Sequence, residues 1–226
     1  MARVEDTLSR LARAYGITDA EIFATPTGIF VTLGADGYLT AIRRVQMRAL
    51  ALDRVSAVNA LSRELAAAPR EPEEVLQRLE AIAQQPAPVP RWAEPLVSAV
   101  GAASCTMLVG GALSDLGPAL LANVVVQGVL RGLARFRFPD AIGDFMAGFT
   151  AVFCALAATA WLGAHFTPVI AGGIMVLVPG IAFTSSVRDA MAGDLTSAGA
   201  RGLEALMKAA ALASGVASAL WATGRL

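Results

Sequence analysis

The chain of 226 residues is 56% hydrophobic, 16% charged and formally neutral, with 18 Lys/Arg against 18 Asp/Glu. That charge content is low for a soluble domain of this length, and a neutral balance argues against a phosphate-binding surface, which needs a basic excess. The charge is also unevenly placed: 10 basic and 11 acidic residues precede Arg91, so a polar front joins an oily back.

The N-terminus, Met1-Ala2-Arg3-Val4-Glu5-Asp6, lacks the basic start, apolar core and small-residue cleavage site of a signal peptide, and the front region is expected to stay inside the cell. Leu8, Leu11, Ala12 and Tyr15 recur at spacings of three and four, which predicts a short amphipathic helix closed by Gly16. The period then changes. Ala20 to Ala24, Gly28 to Leu33 and Tyr38 to Arg44 are short and rich in Ile, Phe, Val, Thr and Tyr, and turn residues separate them at 25–28 and 34–37. Three strands in a meander are expected. Helical spacing returns from Val45 to Ala67, and Glu71-Pro72-Glu73-Glu74 opens another helix running to about Gln85.

This front region, residues 1–90, therefore reads as a small cytoplasmic α+β domain. Asp36 in a turn, Asp19 and Glu21 at a strand start, and Arg43-Arg44 at a strand end form no recognisable acid/base or phosphate-cradling spacing, and they read as solvated surface charge. Gln84 to Trp92 carries Pro86, Pro88 and Pro90, which fix φ and remove backbone donors, so a stiff linker is expected. Arg91-Trp92 suits a membrane–water boundary.

The back region, residues 91–226, predicts a bundle of about five transmembrane helices, at Pro95–Leu113, Leu116–Leu130, Ala141–Ala164, Pro168–Val187 and Gly202–Thr223. The second is short for a span unless it runs past Arg131 or lies packed inside the bundle. Glycines such as Gly110-Gly111, Gly148, Gly172-Gly173 and Gly215, with many Ala and Ser, allow close helix approach. Cys105 and Cys154 lie in apolar stretches and read as small packed side chains, and the single histidine, His165, offers no cluster to hold a metal. No cofactor is expected. With the front inside, Arg131, Arg135, Arg137, Arg188 and Arg201 all fall on the cytoplasmic side, which orients the spans.

Polar residues within the spans are the candidates for function. Asn123 and Gln127 lie one turn apart. Asp144, near the start of the third segment, reads either as a helix cap or as part of a pathway. Glu204 and Lys208 read as an i,i+4 pair near the interface. Pro179-Gly180 interrupts an apolar run and is followed by Thr184-Ser185-Ser186, Arg188 and Asp189. A break at membrane depth needs protein or a water-filled cavity around it, because lipid cannot satisfy the freed backbone. It reads equally as a kink or as the discontinuous helix of a transporter, in which Ser185, Ser186 and Arg188 could meet a substrate carboxylate.

Ordered pieces along nearly the whole chain resemble the threonine/serine exporter family. In the front these are Tyr15-Gly16, Thr25-Pro26-Thr27-Gly28-Ile29 and Arg44-Val45. In the back they are Gly110-Gly111 with Asp115, Val178-Pro179-Gly180-Ile181, Arg188-Asp189, Gly193-Asp194-Leu195, Gly199, Arg201 and Gly215-Val216. The resemblance implies secondary export of small amino acids such as threonine and serine across the inner membrane, driven by the proton gradient. A split form of the family exports dicarboxylates such as succinate, and full-length members carry a second block of membrane helices. This sequence resembles the larger subunit of the split form, which implies a smaller multi-span membrane subunit as partner.

On that basis Pro179 and Gly180 are expected at a helix break, Ser185, Ser186 and Arg188 at the substrate, and Asp189, Asp144 or Asp115 in charge balance or proton coupling. A membrane-anchored sensor or scaffold is the alternative. An intramembrane hydrolase using Asp144 and Asp189 is disfavoured, since the acids lie near predicted span ends and form no paired motif.

Overall fold

A computed structural model describes residues 2–34, 39–45, 51–90 and 92–225. The expected turn at Asp36, Tyr38 at its strand start, the helix start at 46–50 and Arg91 at the boundary lie outside the described residues. The chain is mostly helical, with one three-stranded sheet near its start. It divides into two compact units, one of Met1–Pro88 with Ser185–Ala200, the other of Val89–Thr184 with Arg201–Leu226.

In the first unit, α1 (Ala2–Ala14) stops where Gly16 turns left-handed at φ 77°. The Ile17 N–H then returns to the Ala12 carbonyl at 2.9 Å and the Gly16 N–H to Arg13 at 3.0 Å, the paired closure that only a glycine permits cheaply. Strands β1 (Ala20–Thr25), β2 (Gly28–Leu33) and β3 (Leu39–Arg44) form the expected antiparallel meander, in the order β1-β2-β3. Thr25 pairs with Gly28 across Pro26-Thr27, so the first hairpin has a two-residue turn. One row of the sheet, Phe23 opposite Phe30 opposite Ile42, is exposed.

Helices α2 (Leu52–Ala67) and α3 (Pro72–Gln84) complete the front of the chain, α3 starting on its proline as expected. Leu61 and Leu65 of α2 are buried, as is Ala24 of β1. The core is thin: an apolar cavity of about 520 Å³ lies among Leu8, Leu11, Val58, Leu61 and Leu65. Glu64 takes both nitrogens of Arg78 at 2.8 and 2.7 Å, which ties α3 to α2 and holds the Glu64 carboxyl below its usual range. The Tyr15 hydroxyl donates to the Arg70 carbonyl at 2.7 Å, and the Glu5 carboxylate accepts the Ala24 N–H at 2.9 Å.

The second unit is built from α4 (Glu94–Leu108), α5 (Leu116–Arg135), α6 (Asp140–Leu162), α7 (Phe166–Met175), the first turn of α8 (Gly180–Met191) and most of α9 (Leu195–Ala222). Helix α5 packs against α4, α6 and α7. The interior of the unit is rich in small residues, Ala99 and Ala102, Ala119 and Ala122, Ala147, Ala151 and Ala155, with Gly172 and Gly173, beside the buried Val126, Val152, Val169 and Leu212. Many of the large apolar side chains point outward, Leu108 and Trp161 each 85% exposed and Trp221 79%. In water that arrangement would be inverted; beside lipid tails, large side chains face the solvent and small ones let the backbones meet. This unit is a multi-pass membrane bundle.

Among the described residues three helical stretches are long and apolar enough to cross a bilayer: Leu113–Arg135, Asp140–Leu162 and Leu195–Ala222. A fourth span results if α7 and α8, bent by 62° at the interval between them, count as one. The expected second span does run past Arg131, to Arg135, and a one-turn 3-10 segment at Leu113–Asp115 precedes it. The short element is the first. Helix α4 has 15 residues, about 22 Å at 1.5 Å per residue, against a hydrocarbon core of about 30 Å. It closes after Leu108 because Gly110 turns to φ 86°.

Candidate functional site

The Pro179-Gly180 interruption separates α7, ending at Met175, from α8, starting at Gly180. Short backbone turns bridge it: Leu177 N–H to Ile174, Val178 N–H to Met175 and Gly180 N–H to Val178 at 2.8 to 3.2 Å. The Pro179 carbonyl then accepts the Phe183 N–H at 3.0 Å and starts α8. A cavity of about 240 Å³ borders the break, lined by Val176 to Ala182 and, from α9, by Glu204, Ala205 and Lys208.

A second cavity, about 420 Å³, uses the same two α9 residues. Asp140, Asp144, Glu204 and Lys208 are its charged lining, between apolar walls that include Leu130 and Leu177. The local sequence explains how Asp144 comes to face it. Pro139 stands at the N-cap, so α6 begins at Asp140 and places Asp144 a full turn inside the helix, 7% exposed. It is not a cap. Lys208 Nζ lies 3.7 Å from Asp144 Oδ1 across the interval between α6 and α9.

Two glycines set that interval. A Cβ on Gly148 of α6 would run into the Leu212 carbonyl of α9, and one on Gly215 would run into the Phe145 carbonyl of α6. Nothing larger than glycine fits at either place. Deeper in the bundle, Asn123 is fully buried, donating to the Gly173 carbonyl at 3.1 Å and accepting the Ser98 hydroxyl at 2.8 Å. Gln127 joins by donating to Ser98 at 3.1 Å. This network spans α4, α5 and α7 and satisfies polar groups that lipid could not.

Asp115 sits at the other end of α5, roughly 20 Å from Leu130 by helical rise. Fully buried, it accepts the Ala112 N–H, the His165 N–H and the His165 ring nitrogen Nδ1 at 2.8, 2.8 and 2.9 Å. The carboxylate thus holds together the connection before α5 and the connection between α6 and α7. Arg225 lies over the Phe166 ring next to it, 4.7 Å from the centroid.

Of the residues singled out from sequence, Pro179, Gly180 and Asp144 therefore share one neighbourhood through Glu204 and Lys208, and Asp115 lies apart from them. Ser185, Ser186, Arg188 and Asp189 lie further along α8, in the stretch grouped with the front of the chain, and line neither cavity. The Ser186 hydroxyl donates to the Ala198 carbonyl at 2.7 Å. Asp194 caps α9 by accepting the Ser197 N–H at 3.0 Å, and its hydrogen bonds from Ser197 hold its carboxyl below the usual range. Among the described residues no three His, Cys, Asp or Glu side chains converge as metal ligands would.

Lys208 as the partner of Asp144 was not readable from spacing, which pairs it with Glu204 on its own helix. One signal was available: it is the only lysine in the sequence, and it falls within a span. No local signal joins Asp115 to His165, fifty positions away.

Residues 1–222 match the profile of a family described as "Putative threonine/serine exporter". A protein of Mycobacterium tuberculosis (strain ATCC 25618 / H37Rv), described as "Probable threonine/serine exporter", is 27% identical over 218 residues, covering 95% of this chain and 41% of that protein. The chain thus spans about two fifths of the length of that curated relative. No solved structure matches the chain.

Proposed function

Because the chain belongs to the threonine/serine exporter family, we propose that it is the part of a secondary exporter that holds the broken helix of the transport path. The carried substrates are small amino acids of the threonine and serine kind, or small carboxylates. The observation that carries this reading is the interrupted α7–α8 pair, whose break borders a cavity shared with charged α9 residues inside an apolar bundle. Discontinuous helices beside buried charge are how transporters bind polar solutes at membrane depth.

In this reading the protein lies in the inner membrane with its N-terminus in the cytoplasm, α4 is a short fifth membrane element, and the assembly works by alternating access. A second, smaller membrane subunit completes the path. Arg131, Arg135 and Arg137 follow the charge bias of cytoplasmic connections. Arg188, Ser185 and Ser186 then belong to substrate entry from the cytoplasm, and Asp189 and Asp115 to charge balance.

The test is efflux of radiolabelled threonine, serine and succinate from cells expressing the chain with and without the partner subunit. Replacing Pro179-Gly180 by Ala-Ala is expected to leave membrane insertion intact and abolish efflux. Unchanged efflux, or equal efflux from cells lacking both subunits, refutes the reading. A membrane-anchored scaffold is the second reading, and one observation favours it: Phe23, Phe30 and Ile42 form an exposed apolar row on the sheet, suited to a protein partner.

A further inference from the structure

We infer that the cavity between α6 and α9 is the substrate site of the export path, and that it takes zwitterionic amino acids in preference to dicarboxylates, with Lys208 holding the carboxylate and Asp144 the ammonium. This rests on the export reading and names its binding residues. They are not the Ser185, Ser186 and Arg188 to which spacing along the chain points.

Three observations carry it. The cavity, at about 420 Å³, is of the size that encloses small ligands, and apolar walls surround a few convergent charges. The Lys208–Asp144 separation of 3.7 Å is longer than a direct charge-assisted hydrogen bond, about 2.8 Å, so the two charges face each other without closing. Lys208 and Glu204 also line the smaller cavity at Pro179-Gly180, so a ligand drawing on Lys208 acts on a side chain that borders the break.

Charge sets the preference. The lining carries three carboxylates, Asp140, Asp144 and Glu204, and one ammonium, Lys208. A dicarboxylate brings two more negative charges to a single cation already facing an acid, and like charges in a partly desolvated site repel strongly. A zwitterion adds no net charge. Its carboxylate meets Lys208 and its ammonium meets Asp144, so one open ion pair becomes two closed ones and neither protein charge loses its partner. The same logic gives specificity, because a ligand lacking the ammonium adds a carboxylate beside buried Asp144 with nothing to offset it, and one lacking the carboxylate adds a cation beside Lys208.

The test uses the full exporter assembly in inverted membrane vesicles, with labelled threonine as reporter. Four unlabelled competitors are added: threonine, threoninol, which lacks the carboxylate, 3-hydroxybutyrate, which lacks the ammonium, and succinate. Threonine is expected to compete about tenfold or more better than each of the other three. Asp144→Asn should erase the advantage of threonine over 3-hydroxybutyrate, and Lys208→Gln its advantage over threoninol, each leaving the other ratio largely intact. The wild-type comparison needs no variant to fold. If threoninol, 3-hydroxybutyrate or succinate competes as well as threonine, or if both variants transport threonine with unchanged ratios, the assignment is wrong while export stands. Vesicles that move neither threonine nor succinate remove the export reading and this inference together.

Discussion

The front unit and the membrane bundle solve the same packing problem with opposite materials. In the front unit, Leu61, Leu65 and Ala24 are among the buried residues, and charged pairs such as Glu64–Arg78 sit outside. In the bundle, alanine and glycine dominate an interior that also holds three valines and Leu212, tryptophan and most leucines lie outside, and Asn123 is buried with its hydrogen bonds made. The difference follows from the solvent. Water rewards hiding large apolar surface; lipid does not, so close backbone contact and satisfied hydrogen bonds are what remain to hold helices together. A mutation that is mild in one unit should therefore be severe in the other.

The largest effect is expected where the bundle tolerates no side chain. Gly148→Leu drives a side chain into the Leu212 carbonyl and should cost more than about 3 kcal/mol, read as loss of folded protein in detergent. Gly128→Leu, at a site with nothing within 4 Å, is the matched control and should fold normally. If the two variants behave alike, the small-residue account of the bundle fails. In the front unit, large-to-small replacement is the damaging direction. Leu65→Ala should cost about 2–3 kcal/mol, towards the low end for leucine because the site already borders a cavity, with membrane insertion unchanged. Protease sensitivity of residues 52–84 against that of the bundle checks it.

Asn123→Ala probes the buried network and removes the partner of both Ser98 and the Gly173 carbonyl, at a cost of about 1 kcal/mol. A thermal melt in detergent measures it, and an unchanged midpoint would show that the network carries no stability. The smallest effect belongs to Glu64. Its carboxyl is held below the usual 4.5 in the folded chain, mainly by its hydrogen bonds from Arg78. The group therefore contributes stability above that ordinary value and loses it as pH falls through the lower, folded one. Amide exchange in α2 and α3, corrected for intrinsic rates, should show protection falling below about pH 4.5, and Glu64→Gln should flatten the change. Because the pair is solvent-exposed, the slope is expected to be shallow.

What could be read from the chain alone divides along similar lines. The meander was legible because Thr25-Pro26-Thr27-Gly28 turns the chain where apolar alternation stops, and the end of α1 because Gly16 supplies a conformation other residues resist. The interruption at Pro179-Gly180 was legible for the same local reason. The length of α4 was not, since its apolar residues continue past the point at which Gly110 ends the helix. Asp144 read equally as a cap or as part of a pathway, because spacing alone does not fix the start of α6 at Asp140. Its partner Lys208 is chosen by how two helices rotate against each other, which no spacing within either helix records.

The close approaches at Gly148, against the Leu212 carbonyl, and at Gly215, against the Phe145 carbonyl, bear on motion as well as on packing. With backbone pressed against backbone at both positions, sliding or rolling of one helix past the other meets a collision, so α6 and α9 are expected to move as one strut. Asp144 and Lys208 stand on the two helices so joined. The adjustable wall is the one opposite, where four residues outside any α-helix join α7 to α8. In the export reading, opening of the cavity is expected to be a hinge swinging past a fixed post, with the four-residue joint setting how far it swings.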